Sequence, residues 1–464
     1  MARSASCWGF AFLGEIEMLM PMLSEADPAE SAEGSIDPLG LYPIADALAS
    51  RMVPGVRERQ QHPRFLTVIA ASLWLCSTFD DDVVADDGVS EPWQVFEWYV
   101  VEGLARATQD KSSLRGLPGR DKADKLRAEG VPMSARGYLK GPRTFGFHGI
   151  YRALAREIGV EQTGRLGDAG FSILSAWETD QNLEGFLGSG DGPGRRHRDR
   201  LRQAIADGLD AGATARKSWG QFFVDHFGIY EARSGEAEAI RAAIVTGDES
   251  AWVDGHRGEI FEALTSEPGQ AVWMEQRKTD RPSERRFHEW LIGGASEPLR
   301  ELLQAIACYE QFARYLQNAL DACLAFMVQH RLRLKSTELA DLDAVKNAAA
   351  NVAQVYPNVT DALSPLGLVD RFTRSFEEFA EPVGPVEWAE QLLAFHTKVQ
   401  SDKPPHGKAP WFDRFDDGSY LIRPGYIRDY EVRPVSEYVH AYRTNSLWSF
   451  ADDLNLLSGE VKVG

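Results

Sequence analysis

The residues best suited to chemistry fall in three short stretches. "FEWYVVEG" places Glu97 among Val95, Phe96, Trp98, Tyr99, Val100 and Val101. A carboxyl buried in such surroundings is pushed toward its neutral form, which suits proton transfer near neutral pH. The structural alternative is a salt bridge from Glu97 to an arginine such as Arg152. "FDDDVVADD" sets Asp80, Asp81 and Asp82 directly after an apolar run, either as a solvated loop or as carboxylates at the mouth of a site. "LPGRDKADKL" puts Gly119 ahead of Arg120 and Lys122. That is either an ordinary helix start or a set of bare amides able to hold a phosphate.

Positive charge is concentrated around this last stretch. Residues 111–143 carry nine Lys or Arg against three Asp or Glu in a chain whose net charge is -19. So acidic a total excludes a uniformly cationic nucleic-acid binder but leaves room for one working face. Runs at 195–217 and 277–286 are also basic and read more simply as solvated helix faces balanced by acidic neighbours. A C-terminal segment rich in aromatic residues and arginine, with Trp411, Arg423 and Arg443, is either a stacking surface for exposed bases or a packed lid in which Arg pairs with Asp.

The elements that must position these groups are helical. "RFLTVIAASLWLC" is apolar on nearly all sides and predicts a buried helix. "EPWQVFEWYVVEGLARA" predicts a helix capped by Ser90 with Glu91 in its first turn. Leu166, Ala169, Ile173, Leu174 and Trp177 share one helical face, and apolar spacing over 299–333 predicts one long central helix. Strand signals are scarce: Asp417-Gly418 makes a turn between two short alternating runs. The expected fold is mainly α and multi-helical, with a helix-hairpin-helix-like element and a small irregular or β-hairpin C-terminal module. The expected divisions are an N-terminal element and acidic loop at 1–40, a helical domain at 41–298 with its DNA-binding segment at 111–160, a long-helix region at 299–400 and the aromatic module at 401–464.

Four scattered cysteines without a CxxC pair speak against a disulfide framework or zinc site. With no secretory cleavage pattern and no run of about 18 apolar residues, the expected compartment is the cytoplasm. No Walker, HExxH or GxSxG motif occurs. Asp254 with Glu275–Arg277 has the outline of a metal nuclease's acidic cluster, but Arg stands where that cluster needs lysine. Neither cofactor nor metal is expected.

Leu114, Leu117, Pro118, Gly119, Lys122 and Ala123 partly match a helix-hairpin-helix motif, with Arg120 and Asp121 in place of its usual apolar residue and second glycine. "TFGFHGIYRALAREIG" resembles the segment that follows this motif in base-excision DNA glycosylases. Ile150, Tyr151, Arg152 and Arg156 fit its helix, whereas Phe147, beside His148, stands at the family's aspartate. His148 can hydrogen-bond a base or a phosphate but is a poor partner for a developing cation, so the resemblance implies a carboxylate from elsewhere. "MVPGVRERQQHPRFLTVIA", "YLKGPRTFGFHGIYR" and "YVHAYRTNSLWSFADDL" resemble an uncharacterised bacterial family found beside helicase and nuclease genes in phage-defence loci. The chain further resembles the Brig-type antiphage DNA glycosylases.

These resemblances imply an enzyme that excises a modified base from viral DNA and leaves an abasic site, with defence-system helicases or nucleases as candidate partners. The catalytic candidates are Glu97, Asp81, Asp82 and His148. The DNA-contacting candidates are Gly119, Arg120, Lys122, Tyr138, Lys140, Arg143 and Arg152, with Trp411, Arg423 and Arg443. The rival is a non-catalytic DNA- or partner-binding subunit of a restriction-type complex, and a third class is a protein-binding scaffold.

Overall fold

The computed structural model describes residues 37–108, 114–215, 219–230, 232–246, 255–277, 284–404 and 406–457. The expected N-terminal element, most of its acidic loop, and Asp254 lie outside the described residues. Over those described, the protein is mainly helical, with 62% helix and 4% strand.

The site-bearing half begins with α1 (Tyr42–Met52), α2 (Phe65–Cys76), α3 (Pro92–Ala107), α4 (Arg120–Glu129), α5 (Pro142–Phe145) and α6 (Phe147–Glu157). A two-stranded hairpin, β1 (Glu161–Gln162) and β2 (Arg165–Leu166), then leads into α7 (Asp168–Asp180), α8 (Pro193–Ala211), α9 (Gly220–Phe227) and α10 (Ser234–Thr246). As its composition requires, α2 is the buried centre, and α3, α6, α7 and α8 pack around it. Its polar start is tied down by charge. Arg64 donates from Nε and Nη2 to the two carboxylate oxygens of Glu236 at 3.0 and 3.1 Å, and Thr67 adds a hydroxyl to the same group at 2.7 Å. Paired in this way, a charge can sit in the interior.

The loop before α2 also fixes α6. The Tyr151 hydroxyl accepts the backbone N–H groups of Gln61 and His62 at 2.9 and 2.7 Å. Phe65 stacks on Phe147 at 5.1 Å between ring centroids. Burying rings of this size contributes roughly 1.5–3 kcal/mol each, enough to hold the start of α6 against α2.

Helices α11 (Arg257–Thr265), α12 (Glu267–Arg277) and α13 (Arg285–Leu291) lead to α14 (Glu297–His330), the expected strut. It ends three residues before the predicted limit, where Arg331 adopts φ 51°. Along α14 lies α16 (Asp343–Leu363), and Phe312, Tyr356, Phe372 and Phe376 form an aromatic cluster that includes α17 (Val369–Phe376). Helix α15 (Ser336–Leu339) packs on α18 (Pro385–Ser401). The C-terminal module contains the hairpin expected at Asp417-Gly418, β4 (Phe412–Arg414) and β5 (Ser419–Ile422). A third strand, β3 (Leu334–Lys335), joins it antiparallel on the far side of β5. The last helix is α19 (Thr444–Asp453).

Two local expectations need correction. The N-cap of α3 is Glu91 rather than Ser90, because Pro92 occupies the first helical position and Gln94 closes a capping box on the Glu91 backbone at 2.8 Å. Ser90 instead donates its hydroxyl to Asp87 at 2.6 Å. The C-terminal module is a packed lid. Arg443 is buried, pairs with Asp46 on α1 and donates to the Val56 carbonyl at 2.8 Å. Trp411 is buried and stacked on Tyr426 at 5.0 Å, and Arg423 pairs with Asp413 at 2.7 Å. None of these three is a free platform for a base.

Candidate functional site

A cavity of about 270 Å3 opens where α2, α3, α5, α6 and the β1–β2 hairpin converge. The end of α2 contributes Ser72 and Cys76, and the following loop adds Asp80 and Asp81. Glu91 and Trp93 come from the start of α3, Arg143 from α5, His148 and Arg152 from α6, and Glu161 and Arg165 from the hairpin.

His148 forms an aromatic wall with Trp93, their rings 4.5 Å apart and tilted by 34°. Burial, reinforced by Arg152, Arg156 and Arg143, pushes its imidazole down to about 3, so the ring is neutral at physiological pH. Its Nδ1 is buried with no hydrogen-bond partner in the protein. Glu161 is buried as well. Arg156 Nε donates to its Oε1 at 3.0 Å, and Arg152 Nε lies 3.5 Å from the same oxygen. Glu161 Oε2 has no partner. Two side chains of the cavity lining, His148 and Glu161, thus each carry a buried and unmatched polar atom, a condition that costs about 1–3 kcal/mol per group.

Glu91 braces the rim. Its two carboxylate oxygens accept the Trp93 indole N–H and an Arg143 guanidinium N–H, and the Arg143 guanidinium lies 5.8 Å from the Trp93 ring centroid. The Cys76 thiol, pushed up to about 12 chiefly by burial, is no nucleophile.

Glu97 sits behind this wall and does not line the cavity. The salt bridge to Arg152 is absent. Instead Tyr138 donates its hydroxyl to Glu97 Oε1 at 2.6 Å and the His148 backbone N–H donates to Oε2 at 3.1 Å. Burial raises Glu97 to about 7 against the pull of these donors. The carboxylate therefore caps α6 from outside. Gly146 is what permits the approach: a Cβ there would lie 2.0 Å from Glu97 Oε1. Tyr138, committed to Glu97 and buried, cannot stack on a base.

The Leu-Pro-Gly turn does start a helix. Gly119 is the N-cap of α4 with φ 77°, and a Cβ on it would lie 2.3 Å from the Tyr138 ring, so only glycine suits the position. Arg120 pairs with its neighbour Asp121 at 3.1 Å. Lys122, Lys140 and Arg143 are exposed, but only Arg143 reaches the cavity. Asp82 is exposed and does not line it.

The candidates that converge on one cleft are therefore Asp80, Asp81, Arg143, His148 and Arg152. Sequence reasoning missed Trp93, Glu91 and Glu161. The turn that carries Glu161 was readable in "EQTGR", where Thr163 and Gly164 both take positive φ, 50° and 79°, as a tight hairpin turn requires. Glu275–Arg277 is the last turn of α12, and among the described residues no group of three His, Cys, Asp or Glu is placed to hold a metal ion. No helix among them is long and apolar enough to cross a membrane. Comparison with known protein families, with curated proteins and with solved structures gives no match for this chain.

Proposed function

We propose that the protein hydrolyses the N-glycosidic bond of a nucleotide flipped out of DNA into the α2–α3–α6 cavity. The observation that carries this reading is the pair of buried, unmatched atoms, His148 Nδ1 and Glu161 Oε2, in a cleft walled by Trp93. A base edge supplies what both lack. A carboxylate oxygen accepts from an exocyclic amine, as carboxylates do from cytosine N4. The imidazole nitrogen faces a ring nitrogen or carbonyl, and the indole offers a stacking face. This favours an amino-bearing base, in keeping with the modified base implied by the sequence resemblance. The defence role rests on that resemblance.

Asp80 and Asp81 line the same cleft and supply the carboxylate that His148 cannot replace. As the bond from C1′ to the base nitrogen breaks, its electron pair leaves with the base and the sugar becomes cationic. Asp81 stabilises that charge and takes a proton from the water whose oxygen bonds to C1′. Arg152 stabilises the departing base, which takes up the proton that Asp81 removed from the water. The products are a free base and an abasic sugar. Lys122, Lys140 and Arg143 meet backbone phosphates.

The test is incubation of the purified protein with phage DNA carrying modified cytosines, followed by alkali. Strand breaks are expected with the native chain and not with a variant carrying both Asp80→Asn and Asp81→Asn. Intact DNA with salt-sensitive binding would replace the enzyme by a non-catalytic DNA-binding subunit. Absence of binding even at low salt would leave the protein-binding scaffold.

A further inference from the structure

A second cavity, of about 320 Å3, lies between α12 and the segment that leads into α19. It stands apart from the base-excision reading, sharing no lining residue with the first cavity. His440 forms part of its wall, held by an apparatus built for one orientation. Glu310 on α14 is buried and takes the His440 Nδ1 at 2.7 Å on Oε1, which also accepts the Tyr442 hydroxyl at 2.7 Å. Its Oε2 accepts the Val439 backbone N–H and, at 3.3 Å, that of His440.

An ionised carboxylate only accepts, so the Nδ1 carries a hydrogen and the tautomer is fixed. The Nε2 has no partner among the described residues, and the carboxylate behind the ring favours a proton there as well. Arg277 and Arg433 line the same cavity, as does Asn445. Trp273 and Tyr438 form its aromatic part. The Trp273 Nε1 is buried with no acceptor in the protein, a second donor in want of an oxygen. The carboxyl of Glu284, also in the wall, receives the Tyr442 N–H and Thr444 hydroxyl, both at 2.9 Å. Burial nonetheless raises it to about 7, which lowers its negative charge near neutral pH, and Glu437 is the other acidic residue of the wall, set against Arg277, Arg433 and His440.

We propose that this cavity binds a small phosphate monoester, its phosphate held by His440 Nε2, Arg277 and Arg433 and its organic body lying along Trp273 and Tyr438. The volume decides against a bare anion, since a phosphate alone would leave the aromatic part uncovered.

The experiment is calorimetric titration of the full chain with phenyl phosphate and with inorganic phosphate, against sodium chloride at equal ionic strength. Phenyl phosphate is expected to bind at least about tenfold more tightly than inorganic phosphate, because its ring covers aromatic surface. Arg433→Gln, at an exposed position, and His440→Gln are each expected to weaken binding by about tenfold or more. Heats no greater than those of sodium chloride, or affinity unchanged in Arg433→Gln, would overturn the proposal. Should His440→Gln fail to fold, Arg433→Gln and Arg277→Gln decide the matter.

Discussion

The backbone N–H of His148 donates to the buried carboxylate of Glu97 at 3.1 Å, so a residue outside the cleft sets the position of the imidazole that walls it. Glu97 is thus a positioning residue, and its replacement should register first as lost stability. Glu97→Ala strands the Tyr138 hydroxyl and the His148 amide in the interior, at about 1–3 kcal/mol for each group. Glu97→Gln keeps one acceptor and should cost less. Urea unfolding of both variants checks this; equal stability of Glu97→Ala and the native chain would contradict it.

Stability should fall steeply in acid, with a break near pH 4.5. Glu97 and Glu284 are raised to about 7, so the folded state holds protons that the unfolded chain releases above about 4.5. Their contribution is present at low pH and declines as pH rises from there to 7. His148 and His288 are lowered to about 3 and His396 to about 4. Their contribution is present above about 6.5 and is lost as pH falls toward 3. The two classes oppose each other from about pH 4.5 to 6.5, and below that window only the histidines act. Chemical denaturation across this range should show His148→Asn reducing the acid slope by about 1.4 kcal/mol per pH unit.

Trp93→Ala should weaken binding of DNA bearing a modified base by about 5- to 150-fold, the range that corresponds to about 1–3 kcal/mol of stacking. Its effect on stability should be small, about 0.5–1.5 kcal/mol for the lost contact with His148. Fluorescence anisotropy with matched modified and unmodified duplexes separates the two effects. Equal losses on both duplexes would place Trp93 outside base recognition.

Arg443 and Lys140 should behave as opposites. Arg443→Ala leaves the buried Asp46 with Arg57 at 3.4 Å and the Tyr42 hydroxyl at 3.3 Å as its remaining partners, and should destabilise the fold by about 1.5–3 kcal/mol. Lys140→Ala should leave unfolding unchanged while reducing the salt dependence of DNA binding by about one phosphate contact. Thermal unfolding and salt titration measure each in turn.

Elements whose pattern is local were readable from the chain. The all-apolar α2, the long α14 and the Asp417-Gly418 hairpin follow from periodicity and turn chemistry within a few residues. The helix that carries His148 and Arg152 was reached through the resemblance rather than through periodicity. What escaped was convergence. Glu161 enters the cleft only because a hairpin folds back on α6, and Trp93 only because the start of α3 faces that helix. For Glu97 the sequence left open a proton-transfer carboxyl or a salt bridge to an arginine; two hydrogen-bond donors satisfy it instead, one of them a backbone amide that no side-chain pattern encodes. β3 pairs with a strand more than 80 residues downstream, a separation over which local alternation carries no information.

The most direct test of the central claim, that Trp93, His148 and Glu161 receive a flipped base, is fluorescence of a duplex with 2-aminopurine beside a modified cytosine. Addition of the native protein should raise the signal as the neighbouring base leaves the stack, while Glu161→Gln and Trp93→Ala should leave it near that of free DNA. An unchanged signal with the native protein at saturating concentration, or an equal rise with all three, would contradict it.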